Sequence, residues 1–399
     1  MRLELGNINI KDVQFGDITK VENGILYINK EEIISIVMED DHIKSVKVEL
    51  AKPGEETRIT PVKDVIEPRV KVEGVGGIFP GLINKVTTVG SGRTHVLKGA
   101  SVITCGKIVG FQEGIIDMNG PGAEYTPFSK LNNICLVIEP INGLEQRGYE
   151  KAVRMAGLKV ATFIGKTGKK VIPDEIEVYE TKPLLESVKE YPELPRVAYV
   201  YMLQTQGLLH DTYVYGVDAK KIVPTILYPT EVMDGAILSG NCVSACDKNT
   251  TYHHLNNPII HDLYERHGKD INFVGVIITN ENVYLADKER SSNWTAKLCK
   301  YLGLDGAIIS QEGFGNPDTD LIMKDADESA DAVVTGGNAN EVILLPPMKK
   351  IIGMLDYVDR IAGGFDGSLK ADGSIEAEMQ VIIGATNELG FNRMSATEY

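Results

Sequence analysis

The residues of this chain that can do unusual chemistry lie in one stretch, Asp234-Gly-Ala-Ile-Leu-Ser-Gly-Asn-Cys-Val-Ser-Ala-Cys-Asp-Lys-Asn249. A cysteine that follows Gly and Asn can turn on its own backbone. The Cys242 thiolate attacks the carbonyl of Asn241 and converts the amide to a thioester, provided the chain bends to bring sulfur onto carbon, and Gly240 supplies part of that freedom. The thioester makes sulfur a better leaving group. β-Elimination then leaves dehydroalanine, which tautomerises and hydrolyses to a pyruvoyl cap on residue 242. The chain is split between 241 and 242, and its new N-terminus is a ketone, an electrophile that no ordinary side chain offers.

The same residues admit plainer readings. Cys242 and Cys246 are small, buried-prone residues that can simply pack in a turn. With His253 and His254 they can also be read as metal ligands, although adjacent histidines point apart in regular structure. Asn–Cys is in addition the downstream junction of an intein, but Gly240 stands where a His usually precedes the Asn. Elsewhere, His210 and Asp211 form a candidate acid/base pair in a tyrosine-rich loop. Cys246 and Asp247 are candidates for proton transfer beside the nucleophile. Arg93, between glycine turns, is a candidate for holding a substrate carboxylate. Gly90, Gly92, Gly336 and Gly337 could build anion-binding nests, with turn formation as the alternative.

The elements that must position these residues change character along the chain. Residues 1–130 alternate apolar and polar positions, as in Gly24-Ile-Leu-Tyr-Ile-Asn and Ile43-Lys-Ser-Val-Lys-Val-Glu-Leu, with glycine-rich turns between, and read as a mostly β domain. Residues 131–399 read as an α/β region holding the junction: a strand at Ile134–Ile138, a helix from Leu144 to Met155, a strand at Leu158–Ile164, then further strands at Val197–Met202, Phe273–Ile278 and Gly306–Ser310. Helices are expected at Pro258–His267 and Asp287–Tyr301. Apolar strands alternating with helices predict a layered, largely parallel sheet.

Composition limits the rest. A hydrophobic content of 43% over 399 residues allows a sizeable core, and a net charge of -15 works against sequence-independent nucleic-acid binding. The N-terminus lacks the apolar core of a secretory signal and no stretch approaches a membrane span, so a cytoplasmic protein is expected. Five scattered cysteines make a poor disulfide framework.

Long motifs narrow the field further: Thr60-Pro-Val-Lys-Asp-Val-Ile-Glu-Pro-Arg-Val, Gly110-Phe-Gln-Glu-Gly-Ile-Ile-Asp-Met, Tyr201-Met-Leu-Gln-Thr-Gln-Gly-Leu-Leu-His-Asp-Thr-Tyr, Ser239-Gly-Asn-Cys-Val-Ser-Ala-Cys-Asp, Ile277-Ile-Thr-Asn-Glu-Asn-Val-Tyr and Gly336-Gly-Asn-Ala-Asn-Glu. Through them the chain resembles, over nearly its whole length, the component B precursors of the glycine/sarcosine/betaine reductase family. The resemblance implies cleavage between Asn241 and Cys242 and a pyruvoyl cofactor formed from Cys242. It also implies glycine as substrate, held as a Schiff base and reductively deaminated to an acetyl group. The chain contains no selenocysteine, so the selenolate nucleophile is expected from a selenocysteine-containing subunit of component B. The component A selenoprotein and component C are the further expected partners. A related pyruvoyl reductase of sarcosine, betaine or D-proline, or a non-catalytic scaffold of the complex, is the alternative. One departure stands out: after Asn316-Pro-Asp-Thr-Asp-Leu-Ile-Met323 only Lys324 to Asp331 precede Ala332-Val-Val-Thr335, where the family continues through a helix end and a strand.

Overall fold

The structure is a computed structural model. It describes residues 1–108, 114–241, 249–313, 316–328, 341–353, 369–387 and 389. The chain is mixed α/β. Three four-stranded sheets carry most of it. In the first, the order is Glu175–Glu180, Arg2–Asn9, Gly92–Lys98, Arg69–Glu73; in the second, Ile43–Ala51, Asn132–Pro140, Ala100–Cys105, Val62–Ile66. Strands from beyond residue 130 therefore sit inside sheets built by residues 1–130.

The third sheet has the order Thr225–Leu227, Asn272–Glu281, Arg196–Gln204, Gly306–Ser310. Its last three strands are parallel, aligned so that Tyr201 stands beside Ile278 and Ser310, while Thr225–Leu227 runs antiparallel to Asn272–Glu281. The sheets are thus mixed, where a largely parallel arrangement is expected from sequence. Thr225–Leu227 joins the sheet edge antiparallel to Asn272–Glu281 although helices and the strand Ile237–Ser239 lie between them in the chain. Among the described residues Gly306–Ser310 has a single strand neighbour, and its Ile308 is exposed.

The expected strand at Leu158–Ile164 is helical: one 21-residue helix runs from Gln146 to Lys166. The apolar run there has two readings by pattern alone, and the buried positions Tyr149, Val153, Ala156, Val160 and Ile164 recur every three to four residues, as on one helix face. Gly157 does not break the helix. It lets the helix press on the second sheet, since a Cβ there would lie 2.6 Å from Thr104 Cγ2 and 2.9 Å from Ile66 Cδ1. Val153, Val160 and Ile164 pack with Ile134, Leu136 and Ile138 in the main core.

Buried charges then tie the early sheets to the segment around the junction. Asp234, at the entry to the short strand Ile237–Ser239, receives Gly90 N–H at 2.8 Å, Thr94 Oγ1 at 2.6 Å and the Lys71 ammonium. The Gly90 N–H is thus taken up by the protein's own Asp234. Arg69 donates to Glu67 at 2.6 Å, to the Met233 carbonyl at 2.5 Å and to Asn256 Oδ1 at 3.0 Å. Asp64 receives Thr251 N–H at 2.8 Å and Thr251 Oγ1 at 2.6 Å. Each of these carboxylates is fully or almost fully buried and joins residues of the two parts of the chain, so the segment around Ile237–Ser239 is tied to the early sheets, with Glu67 Oε1 left without a hydrogen-bond partner among the described residues.

Candidate functional site

Ile237–Ser239 pairs antiparallel with Thr212–Val214, setting Thr212 against Ser239 and Tyr213 against Leu238. The pairing continues one step, where Gly240 N–H donates to the Asp211 carbonyl at 2.7 Å. Gly240 is needed for closeness: a Cβ on it would collide with the His210 carbonyl. Its φ is not among the positive ones, so the glycine serves a tight approach and not a left-handed turn.

Asn241 is buried and lies against the long helix. Its N–H donates to Glu150 Oε1 at 3.4 Å and its side-chain Nδ2 donates to the Glu150 carbonyl at 3.2 Å. Asn241 Oδ1 has no hydrogen-bond partner among the described residues. Glu150 is in turn paired with Arg154, Nε to Oε1 at 2.8 Å, and the Arg154 guanidinium rests over the Tyr213 ring at 4.3 Å. Burial pushes the Tyr213 hydroxyl well above its ordinary range, so it stays protonated.

Cys242, Cys246 and Asp247 lie outside the described residues, as do Gly336 and Gly337. The chain is described again at Asn249, which is also anchored: its N–H donates to Glu312 Oε1 at 3.1 Å, and its Nδ2 to Tyr201 OH at 3.0 Å. Tyr201 OH in turn meets His254 Nδ1 at 2.7 Å. Glu312 also receives the Gln204 N–H at 2.5 Å, and its own N–H donates to Glu281 Oε1 at 2.5 Å. These residues sit at the carboxyl ends of three parallel strands, the place where open α/β sheets bind ligands. Burial raises the Tyr201 hydroxyl far above its usual range, so it is a neutral hydrogen-bonding group there. Both ends of the 242–248 segment thus emerge from buried polar walls, Glu150 with Arg154 on one side and Glu312 with Tyr201 and His254 on the other.

His210 meets Asp218, Nδ1 to Oδ2 at 2.6 Å. The carboxylate of Asp211, the partner expected from sequence, takes Gly207 N–H at 2.9 Å and lies 3.5 Å from Lys220 Nζ. His210 lies beside the junction through its own carbonyl, as the Gly240 contact shows, and through its ring, 5.7 Å from that of Tyr213. Arg93 is engaged elsewhere, in an ion pair with Glu4 at 2.6 Å on the first sheet. Among the described residues no group of three His, Cys, Asp or Glu side chains is arranged to hold a metal ion. The rings of His253 and His254 bond through Nδ1 to Thr250 N–H at 3.0 Å and to Tyr201 respectively.

Burial lowers the His253 imidazole to about 3. The folded value lies below the unfolded one, so the unfolded chain takes up a proton first, and stability is lost as pH falls below the usual histidine range. The loss should approach roughly 1.4 kcal/mol per pH unit between about 6.5 and 3. His253→Asn keeps an acceptor for Thr250 N–H without titrating there. Urea melts at pH 7.5 and 5.5 should show the parent losing more stability than the variant, by about 1 kcal/mol; equal losses would refute the assignment.

Glu150, Arg154, Glu312, Tyr201 and Asp218 were not singled out from sequence. Glu150 and Arg154 had one usable signal, an oppositely charged i, i+4 pair on the otherwise apolar face of a helix.

The family described as glycine/sarcosine/betaine reductase component B subunits matches residues 1–325 and 323–397. The chain is 67% identical over 430 positions to a protein of Acetoanaerobium sticklandii named glycine reductase complex component B subunits alpha and beta, all of both chains being covered. It is 67% identical over 428 positions to the protein of the same name from Peptoclostridium acidaminophilum, and 61% identical over 428 to that organism's sarcosine reductase complex component B subunit alpha, again over all of each chain. No solved structure matches. The alignments are longer than the 399 residues here, and the two family stretches meet at 323–325, where the sequence departs after Met323.

Proposed function

We propose, from the premise that this chain belongs to the family of glycine/sarcosine/betaine reductase component B subunits, that it is a precursor which splits itself between Asn241 and Cys242 and carries a pyruvoyl group on residue 242. The observation that carries this reading is the anchoring of the Asn241 half of the junction: a buried asparagine whose N–H and side-chain amide are both fixed by Glu150, behind a glycine that admits close backbone approach. Fixing one reactant next to another that is covalently attached turns the attack into an intramolecular step. The name of the 67% identical relatives, which assigns two subunits to a single chain, points the same way.

The ketone supplies a carbonyl that captures an amine and withdraws electrons from its carbon–nitrogen bond. The described residues that flank 242–248 fit such a group. Glu150 and Arg154 hold the acyl side of the junction, Tyr201 and Glu312 hold the chain where it re-emerges at Asn249, and the His210–Asp218 pair lies alongside as a proton-handling couple. The amine captured is that of glycine. Sarcosine is the second reading, favoured by the 61% identical sarcosine reductase subunit. Partners are a selenocysteine-containing subunit, the component A selenoprotein and component C, and the setting is the cytoplasm.

The purified chain should resolve into fragments 1–241 and 242–399. The smaller should resist Edman degradation because its first residue has no amine, and it alone should react with a hydrazine. An intact chain with an unmodified Cys242, after prolonged incubation with its partner subunits, would sink the proposal.

A further inference from the structure

We infer that the buried Glu150–Arg154 pair is a positioning device for the self-cleavage proposed above, on which reading this inference rests, and that it selects which nucleophile opens the Asn241–Cys242 bond. By connectivity alone, two groups are candidates to attack the Asn241 carbonyl carbon. If Cys242 sulfur attacks, a carbon–sulfur bond forms and the amide carbon–nitrogen bond breaks. The thiol proton ends on the nitrogen of residue 242, and the thioester needed for elimination results. If the Asn241 side-chain nitrogen attacks, it closes a five-membered imide with its own carbonyl carbon. The same amide bond breaks, and a proton from Nδ2 passes to the departing amine. That second route is equally balanced and needs no co-reactant. It ends in a succinimide at 241 and an ordinary cysteine at 242, with no ketone.

The geometry opposes the second route. Asn241 Nδ2 donates to the Glu150 carbonyl at 3.2 Å, so the side chain is held by its nitrogen, the atom that would have to swing onto the backbone carbonyl. The Asn241 N–H donates to Glu150 Oε1 at 3.4 Å, which fixes the backbone on the other side of the same residue. The main-chain carbonyl of Glu150 is carried by the helix itself, and its carboxylate is fixed by Arg154 Nε at 2.8 Å from Oε1, the guanidinium lying on Tyr213, itself paired with Leu238 in the strand that leads to Asn241. Helix and strand are thus locked together across the acyl half of the bond. Glu150 is fully buried, and Asn241 and Arg154 are 1% and 6% exposed. A buried ion pair adds little stability over apolar residues of the same size, so packing alone does not account for a charged pair on this helix face.

The test uses the full chain and reads products as well as rate. Glu150→Gln keeps the shape of the side chain, Arg154→Lys keeps its charge, and Glu150→Gln/Arg154→Met removes both charges together, so that one folded variant, judged by its melting curve, suffices. The parent should give fragment 242–399 with a blocked N-terminus and fragment 1–241 ending in a thiocarboxylic acid, which water converts to a free acid with release of hydrogen sulfide. In a folded variant, cleavage should slow by about tenfold, the rate equivalent of one hydrogen bond. Part of fragment 242–399 should then begin with an Edman-readable Cys242, and the matching part of fragment 1–241 should carry the succinimide mass. That readable cysteine should vanish when Asn241→Ala is added. Absence of Edman-readable Cys242 from every folded variant overturns the inference whatever the rate. Failure of the parent itself to cleave would instead overturn the proposed function.

Discussion

Cys242→Ala is expected to abolish both chain splitting and hydrazine labelling, while Cys246→Ala still splits. The reason for so large a contrast is intramolecularity. A thiol one residue from the carbonyl acts at an effective concentration of about 10⁵ M or more, and its removal leaves only water or the Asn241 amide to open the bond, so splitting should fall by roughly five orders of magnitude. Cys246 lies four residues further on in sequence and is not adjacent to the Asn241 carbonyl along the chain. Its replacement tests the paired-ligand reading directly. Equal loss of splitting in the two variants would revive a metal site, and bound metal should then be measured in the parent. Two of the remaining thiols are also shielded. Cys105 and Cys135 are fully buried, and burial pushes the Cys105 thiol up to about 12, so neither is a nucleophile at neutral pH.

Glycine is expected to be captured by the processed chain without being consumed. Borohydride added with labelled glycine should fix label on fragment 242–399, at its first residue, and nowhere on fragment 1–241. No acetyl product should form until a selenoprotein partner is added, because this chain contains no selenocysteine to displace the nitrogen. The effect of omitting the partner is all-or-none, since the carbon–nitrogen bond cannot be reduced without an electron donor. Label on the larger fragment, or turnover by this chain alone, would overturn the division of roles. Running the same trap with sarcosine separates the two substrate readings: preferential capture of sarcosine would move the chain toward its 61% identical relative.

Much about this protein was determined by its sequence alone. The motif Ser239-Gly-Asn-Cys242 offered a candidate junction, because nucleophile, carbonyl and glycine are neighbours along the chain, and the resemblance carried by the long motifs selected that reading over plain packing or metal binding. The strands at 43–51, 196–204, 272–281 and 306–310 and the helix at 285–302 were legible because their apolar periodicity is local. The run Leu158–Ile164 was not, since a short apolar stretch fits strand and helix equally and only the sheet beneath it, reached through Gly157, selected the helix. Pairing across long separations was likewise invisible. Nothing in the order of residues brings Glu150 to Asn241, Asp64 to Thr251, Asp218 in place of Asp211 to His210, or Glu4 to Arg93. Those partners were decided by the tertiary structure, because a buried charge is tolerated only where the fold delivers its counter-charge and donors, and that delivery depends on how the sheets stack and not on spacing along the chain.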